Sequence, residues 1–557
     1  MKNIVKVRLS VILFAVLIVP FFMFSIASAD VLGQNVRFNT NSTFDKLGRT
    51  SATATLRHIG ENAYFYVDDS YWDDLDAIKR QNLLSEITQL AQEFDITIYP
   101  LETSFWGHEA KPGIDGDNRI TILLEQLKSG NGGYFSTSNG YPKTSTSESN
   151  EREMVVVNAE SVAGIYAKTF LAHEFEHLIS FNQKELADNA SEEVWLNELR
   201  AEYTTTLVGY NNSFAGSNLE RRANTFFNNP SDSLTEWPNV SLDYSLVALF
   251  AEYIAEEYGQ DLLKESLQLG LAGISSIDAA LAARGNPDRF PNLFSNWLIA
   301  SYVNNESLES KFGYARAELK NLKAVPQRIT VLSFSDSSVF DYLLKPWQPY
   351  GHKIYANGLA NDKVIKLFPE PGLKFVYADN LGRSAILEGD FYVTNPGGLD
   401  YFFIFPVNSY KTEGFGLVES ESGGRLTVSF MDKPLGVDFG SIIKDGALIK
   451  KATENETYVI EGKYKRYLRP EIIALYGHLN AVKAIEVDET TFHSYTTANY
   501  VRYVNDERVY AVWPDGTKHW LNITPQQWEA SGRDWGAIFI INDLELNTYK
   551  IGADITR

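Results

Sequence analysis

The spacing of hydrophobic positions changes several times along the chain, and each change predicts a change of element. SATATLRHIG (51–60) and NAYFYVDD (62–69) alternate with period two and predict two strands joined by a turn. Residues 73–94 have helical spacing, and DITIYP (95–100) reads as a short strand after it. PGIDGDNRITILL (112–124) is a turn feeding a strand. STSNGYPKTSTSESN (136–150) has little apolar content and no period, which predicts a long surface loop of a kind more often functional than idle. The strand MVVVN (154–158) then leads into a mainly helical stretch that runs to residue 322.

Beyond Pro326, short alternating runs broken by Gly, Pro and Asn predict a β-sandwich. The tail contains an internal duplication. Tyr458, Gly462, Leu468, Gly477 and Tyr495 recur as Tyr510, Gly516, Leu521, Gly532 and Tyr549, a repeat of about 54 residues in which each copy reads as a hairpin, a short helix and a strand. The expected fold class is therefore α+β. Residues 30–325 form one unit, β-rich over 30–160 and helical over 161–325. A β-sandwich follows at 326–435, and two small α+β modules at 444–557.

The N-terminus changes the picture of where the chain works. Lys2, Lys6 and Arg8 precede an apolar stretch, Leu9 to Ile26, and Ala27-Ser28-Ala29 offers a small-residue cleavage site before Asp30, the pattern of an export signal over residues 1–29. No later segment is apolar enough to span a membrane, and the expected location is secreted or at the cell surface. The chain has no cysteine, which excludes disulfides and thiolate metal sites. A formal net charge of −21 disfavours nucleic acid and anionic membranes as partners.

Candidate chemistry concentrates in HEFEH (173–177). His173 and His177 stand at i and i+4 on one helix face, where two imidazoles can converge on one cation, and Glu174 lies where it could serve a water bound there. Phe170, Leu171, Leu178, Ile179 and Phe181 surround the pair, so the histidines lie on or beside a buried stripe rather than on a purely charged surface face. A zinc ion needs a third protein ligand and keeps a fourth position for water. VWLNELRAEY supplies Glu198 and, one turn later, Glu202. A second helix folded back over the first would bring Glu198 to the histidines as metal ligand and let Glu202 orient a ligand imidazole from behind.

HEFEH followed by WLNELRAE resembles the gluzincin zinc metallopeptidases, in which the third ligand is a glutamate on the next helix. The metzincin alternative asks for Gly at 180 and His at 183, where this chain has Ser180 and Gln183. IYPLETSFWG, PGIDGDNRITILL, GGYF and SNEREMVVVN before the metal motif are similar to segments of the hyicolysin-type secreted neutral metalloproteases, over about residues 50–305. That resemblance implies a gluzincin-like catalytic unit acting on protein or peptide substrates, with Glu174 as general base. Tyr244 resembles the tyrosine that gluzincin aminopeptidases place to stabilise the oxyanion.

Two further features are open. The acidic turn Asp115-Gly116-Asp117-Asn118 offers oxygens of the type calcium takes, but Gln126 stands where a calcium loop has its last glutamate, and a hairpin turn also accounts for it. The Tyr, Trp, Lys and Arg content of the tail would suit a cell-wall polymer, and a purely structural pair of modules explains it as well. Substrate backbone would be bound at a sheet edge, with GGYF (132–135) and the strand ending at Asn158 as the candidates. The loop at 136–150 is a candidate cover for the cleft. The expected function is an exported zinc metalloendopeptidase. A catalytically inactive adhesin or wall-binding scaffold would leave His173, Glu174, His177, Glu198 and Glu202 without a reason. An aminopeptidase of the same class would need an acidic pair for a free amine that the sequence does not locate.

Overall fold

The computed structural model describes residues 29–409, 421–432 and 445–556, apart from positions 336, 388, 390, 452, 453, 488 and 505. The expected export signal therefore lies almost wholly outside the described residues. Within them, helices and five sheets make an α+β protein.

The N-terminal part is a six-stranded sheet. Its strands are β1 (Asn35–Asn39), β2 (Ser51–Ile59), β3 (Ala63–Asp68), β4 (Ile120–Glu125), β5 (Gly133–Phe135) and β6 (Met154–Asn158), in the order β1-β2-β3-β4-β6-β5. The central strands β3, β4 and β6 run parallel and are buried along their whole length. Side-chain alternation explains why: Phe65, Ile122 and Val155 enter the main helical core, while Tyr64, Leu123 and Val156 enter a second cluster on the opposite face. The last strand, β5, pairs antiparallel to β6 and closes the sheet at an edge.

The helices are α1 (Asp69–Asp74), α2 (Ala77–Glu93), α3 (Tyr99–Trp106), α4 (Ile165–Ser180), α5 (Val194–Leu207), α6 (Asn218–Asn228), α7 (Ser241–Ile254), α8 (Asp261–Gln268), α9 (Gly273–Ala283) and α10 (Phe290–Tyr302). DITIYP is not a strand. Helix α2 runs on through a wider π-type turn, Phe94–Ile98, directly into α3. Phe94 and Ile98, four residues apart, are buried, while Ile96 is 75% exposed, so the segment keeps a helical stripe. Pro100, two residues past the wider turn, has no N–H to give to the preceding turn, which fits the break from regular α-helical bonding at this point.

Beyond α10, two sheets face each other across a shared core that includes Phe340, Ile365, Phe375 and Ile404. One has four strands, in the order Phe391–Thr394, Lys363–Pro369, Ser422–Asp432, Ser338–Leu344. The other has five: Ser384–Leu387, Lys374–Asp379, Tyr401–Val407, His352–Tyr355, Arg328–Val331. The outer face of the five-stranded sheet, with Val376, Phe403 and Phe405, packs into the helical core.

The tail holds two five-stranded sheets with one topology. A central antiparallel trio (Leu448–Lys451, Thr457–Glu461, Tyr464–Leu468) is flanked by parallel strands Ile485–Val487 and Thr496–Thr497. Tyr500–Tyr503, Val509–Val512 and Thr517–Trp520 repeat the arrangement with Ile538–Ile541 and Lys550–Ile551. Gly462 and Gly516 sit at positive φ in the corresponding hairpins. Arg466 of the first sheet and Glu545 beside the second form a buried ion pair at 2.6 Å. Among the described residues no single helix is long and apolar enough to cross a membrane; the bent pair α8–α9 passes by length and composition alone.

Candidate metal centre and active site

Helix α4 starts at Gly164, which takes φ 86° as its N-cap, and presents the HEFEH run in its last two turns. Helix α5 packs against α4. The connection between them is fixed by Glu192, which accepts from Gly273 N at 2.7 Å and from Arg200 at 2.8 Å. This brings Glu198 onto the histidine pair. His173 Nε2 lies 3.0 Å from Glu198 Oε2, His177 Nε2 lies 3.5 Å from the same oxygen, and the two Nε2 atoms are 3.2 Å apart. All three side chains are largely buried, at 8–15% exposure.

These separations fit one small cation. Nitrogen and oxygen donors about 2.0–2.2 Å from a tetrahedral centre are spaced about 3.3–3.6 Å from one another, so the trio stands slightly closer than ligands around an ion and needs to open by only a few tenths of an ångström to take one. The electrostatics agree. Burial alone would lower the pKa of both histidines, but the Glu198 carboxylate outweighs it and both are raised, His177 with further contributions from Glu174 and Glu176. Burial works against the Glu198 carboxylate too, yet the facing imidazoles hold its pKa well below the usual range. The Glu198 carboxylate thus sets negative potential at the point where the two imidazole nitrogens converge.

Glu174 lies between this trio and the sheet edge: it interacts electrostatically with His173, His177 and Glu198 and packs against β5. A Cβ added at Gly133 would lie 2.8 Å from Glu174 Cγ and 2.6 Å from Val156 O, and one added at Gly132 would meet the Phe170 ring at 2.4 Å. The two glycines of GGYF are thus what allow α4 to press against β5. Burial, followed by weaker repulsion from Glu198, raises the Glu174 carboxyl pKa against the pull of the two histidines.

Glu202 lies behind His173, with Oε1 3.8 Å from Nδ1. It is gripped by Arg222 at 2.6 and 2.9 Å and by Asn218 at 2.9 Å, both from α6. Sequence reasoning missed this pair. The available signal was an arginine on the apolar face of α6, beside the buried Leu219, Ala223 and Phe226, where a charge requires a partner. Glu176, which could have belonged to a charged surface face, is instead fully buried.

Tyr244 packs near the trio, its ring centroid 6.4 Å from that of His173 and its face under Arg222. Its hydroxyl donates to Asn239 Oδ1 at 2.9 Å. In the acidic turn, Asp117 accepts from Tyr64 at 2.8 Å and from Arg119 N at 2.9 Å, and Asp115 accepts from Asp117 N at 2.9 Å, so these oxygens hold the turn together. Residues 136–150 are anchored at both ends. Asn150 and Asn39 exchange hydrogen bonds at 2.8 and 3.0 Å, Ser149 Oγ donates to Tyr141 O at 2.6 Å, and Tyr141 OH donates to Glu185 at 2.5 Å.

No family model matches the chain. It is 27% identical over 262 residues to the neutral metalloprotease ShpI of Staphylococcus hyicus, an alignment covering 42% of this chain and 53% of that protein. The chain thus spans about half the length of the curated relative it matches, and it resembles a neutral metalloprotease.

Proposed function

We propose that the chain is an exported zinc-dependent metalloendopeptidase with a gluzincin-like catalytic unit, in which His173, His177 and Glu198 hold the ion and Glu174 is the general base. The observation that carries this reading is the set of donor separations, 3.0, 3.2 and 3.5 Å, among three side chains from two helices. Zinc held there would act as a Lewis acid toward the peptide carbonyl and the attacking water. Glu174 takes a proton from that water as its oxygen attacks the carbonyl carbon, and passes it to the departing amine nitrogen. Its raised pKa, caused first by burial, suits a group that must both accept and release a proton. Tyr244 gives up Asn239 and turns its hydroxyl to the developing oxyanion.

Between the two candidate edges, β5 is the better supported, because β6 is hydrogen-bonded on both sides, to β4 and to β5. An extended peptide adds beside Gly133–Phe135 as a further strand, which sets its backbone next to Glu174. Export follows from the leader pattern at 1–29.

The test is zinc analysis of the purified protein by mass spectrometry, with casein hydrolysis before and after treatment with a chelator. Close to one zinc per chain, with hydrolysis lost on chelation and recovered on adding zinc, is the expected result. A metal-free and inert protein would favour the adhesin or scaffold reading instead.

A further inference from the structure

Behind His177 lies a buried carboxylate that the proposed reaction does not use. Glu176, on α4, is 0% exposed. Its Oε1 accepts the hydroxyl of Ser180, one turn further along the helix, at 2.6 Å. That contact leaves Oε2 toward the far side of the neighbouring imidazole, 3.7 Å from His177 Nδ1. Both Oε2 and Nδ1 are buried, and neither has a hydrogen-bond partner. They are complementary: an imidazole that offers Nε2 as a ligand carries its proton on Nδ1, and Oε2 is an acceptor.

The helix explains how HEFEH gives its two glutamates different surroundings. Residues two apart are rotated by about 200° around the axis, so Glu174 and Glu176 face nearly opposite sides. Glu174 meets β5, and Glu176 meets the interior beside α3, where the buried Glu102 feels its charge. Each imidazole of the trio then has its own carboxylate behind it. His173 has Glu202, delivered by α5 and held by Arg222, while His177 has Glu176, delivered by its own helix and held by Ser180.

We propose that Glu176 is the positioning residue for His177: with the 3.7 Å gap closed, its Oε2 accepts a hydrogen bond from Nδ1–H and so fixes the tautomer and orientation that turn Nε2 toward His173 and Glu198. The proposal rests on the reading of that trio as a zinc site. Such outer carboxylates set ring orientation and raise ligand basicity.

Zinc titration of the metal-free protein against a competing chelator tests it, using the parent, Glu176→Leu and Glu176→Gln, with thermal melting of each metal-free protein as the folding control. Leu keeps the bulk and removes the acceptor, and it weakens zinc binding about 10–100-fold while the metal-free melting temperature holds or rises. Gln keeps an acceptor oxygen without the charge and falls between Leu and parent. In the zinc-loaded protein labelled with ¹⁵N-histidine, the slowly exchanging Nδ1–H signal of His177 is present in the parent and lost in the Leu variant. A Leu variant that binds zinc as tightly as the parent overturns the assignment. Should Leu fail to fold, Gln carries the test: weaker zinc binding with a shifted His177 signal supports the role, and parental values for both refute it. If the parent itself binds no zinc, the reading of the trio fails, which is a different result from a parent and variants that bind equally well.

Discussion

Gly133 leaves room for Glu174 across the strand–helix boundary: a Cβ placed on Gly133 would stand 2.8 Å from Glu174 Cγ and 3.0 Å from Oε1. The edge strand therefore bears on the proposed general base. Gly133→Ala, whose methyl also meets Val156 O of β6 at 2.6 Å, should shift β5 and the carboxylate together and lower kcat roughly 10–100-fold, the scale of loss from a displacement of about 1 Å, while zinc content stays at the parental level. Steady-state kinetics on a fluorogenic peptide, with metal analysis of the same sample, checks this. A variant with parental kcat would show that the contact does not position the base.

Glu174→Gln removes the proton acceptor and keeps the shape. Hydrolysis should fall by about 10²–10⁴-fold, the range general-base catalysis supplies, with zinc retained. Parallel loss of zinc and activity would mean that Glu174 holds the metal rather than the proton.

Glu202 depends on Arg222, and the pair is nearly inaccessible, at 2% and 8% side-chain exposure. Arg222→Leu strands a buried carboxylate and should cost about 3–5 kcal/mol in urea denaturation. Adding Glu202→Leu to that variant should recover most of the stability but leave zinc binding weakened, because His173 Nδ1 then faces no carboxylate. Full recovery of zinc affinity in the double variant would remove Glu202 from the site.

The loop over 136–150 is pinned by Asn150 and Tyr141, whereas residues 142–145 at its tip are exposed. Limited proteolysis should cut first within 142–148, leave the two pieces associated in gel filtration, and slow when a zinc-directed peptide inhibitor fills the cleft. First cuts in the α4–α5 connection, or no protection by the inhibitor, would remove the loop's proposed role as a cover.

Glu125 is fully buried, and burial, followed by the neighbouring Asp45, pushes its pKa up to about 8. An unfolded glutamate ionises near pH 4.3, so between about pH 4.3 and 8 the folded chain keeps a proton that the unfolded chain has lost. The stability this group contributes is complete below that window and is lost as pH rises through it. Urea denaturation from pH 5 to 8 should show Glu125→Gln gaining on the parent as pH increases. A difference independent of pH would contradict the shift.

The trio itself was legible because i, i+4 spacing on a helix is geometry, and a glutamate on a second helix needed only a return connection to reach it. Its supports were not. Arg222 and Asn218 come from α6, and nothing in NLERRANTFFN says which carboxylate that helix will cover. The choice of edge strand was equally hidden, since β5 is three residues long and its neighbour is set by tertiary pairing rather than by alternation. DITIYP failed for a different reason: Ile96 and Ile98 imitate strand alternation, but only Ile98 is buried, because packing against the helical core overrides β-branched propensity. The tail's repeating glycines and tyrosines marked related places in two sheets of identical strand order, a relation carried by turn chemistry and core positions more than by identity.

The most direct measurement is an anomalous difference map recorded at the zinc absorption edge from crystals of the purified protein. One dominant peak about 2.0–2.2 Å from Nε2 of His173, Nε2 of His177 and a carboxylate oxygen of Glu198 is the predicted result. A map with no peak among these three side chains, or with Glu198 turned away from a metal held elsewhere, would contradict the proposed centre.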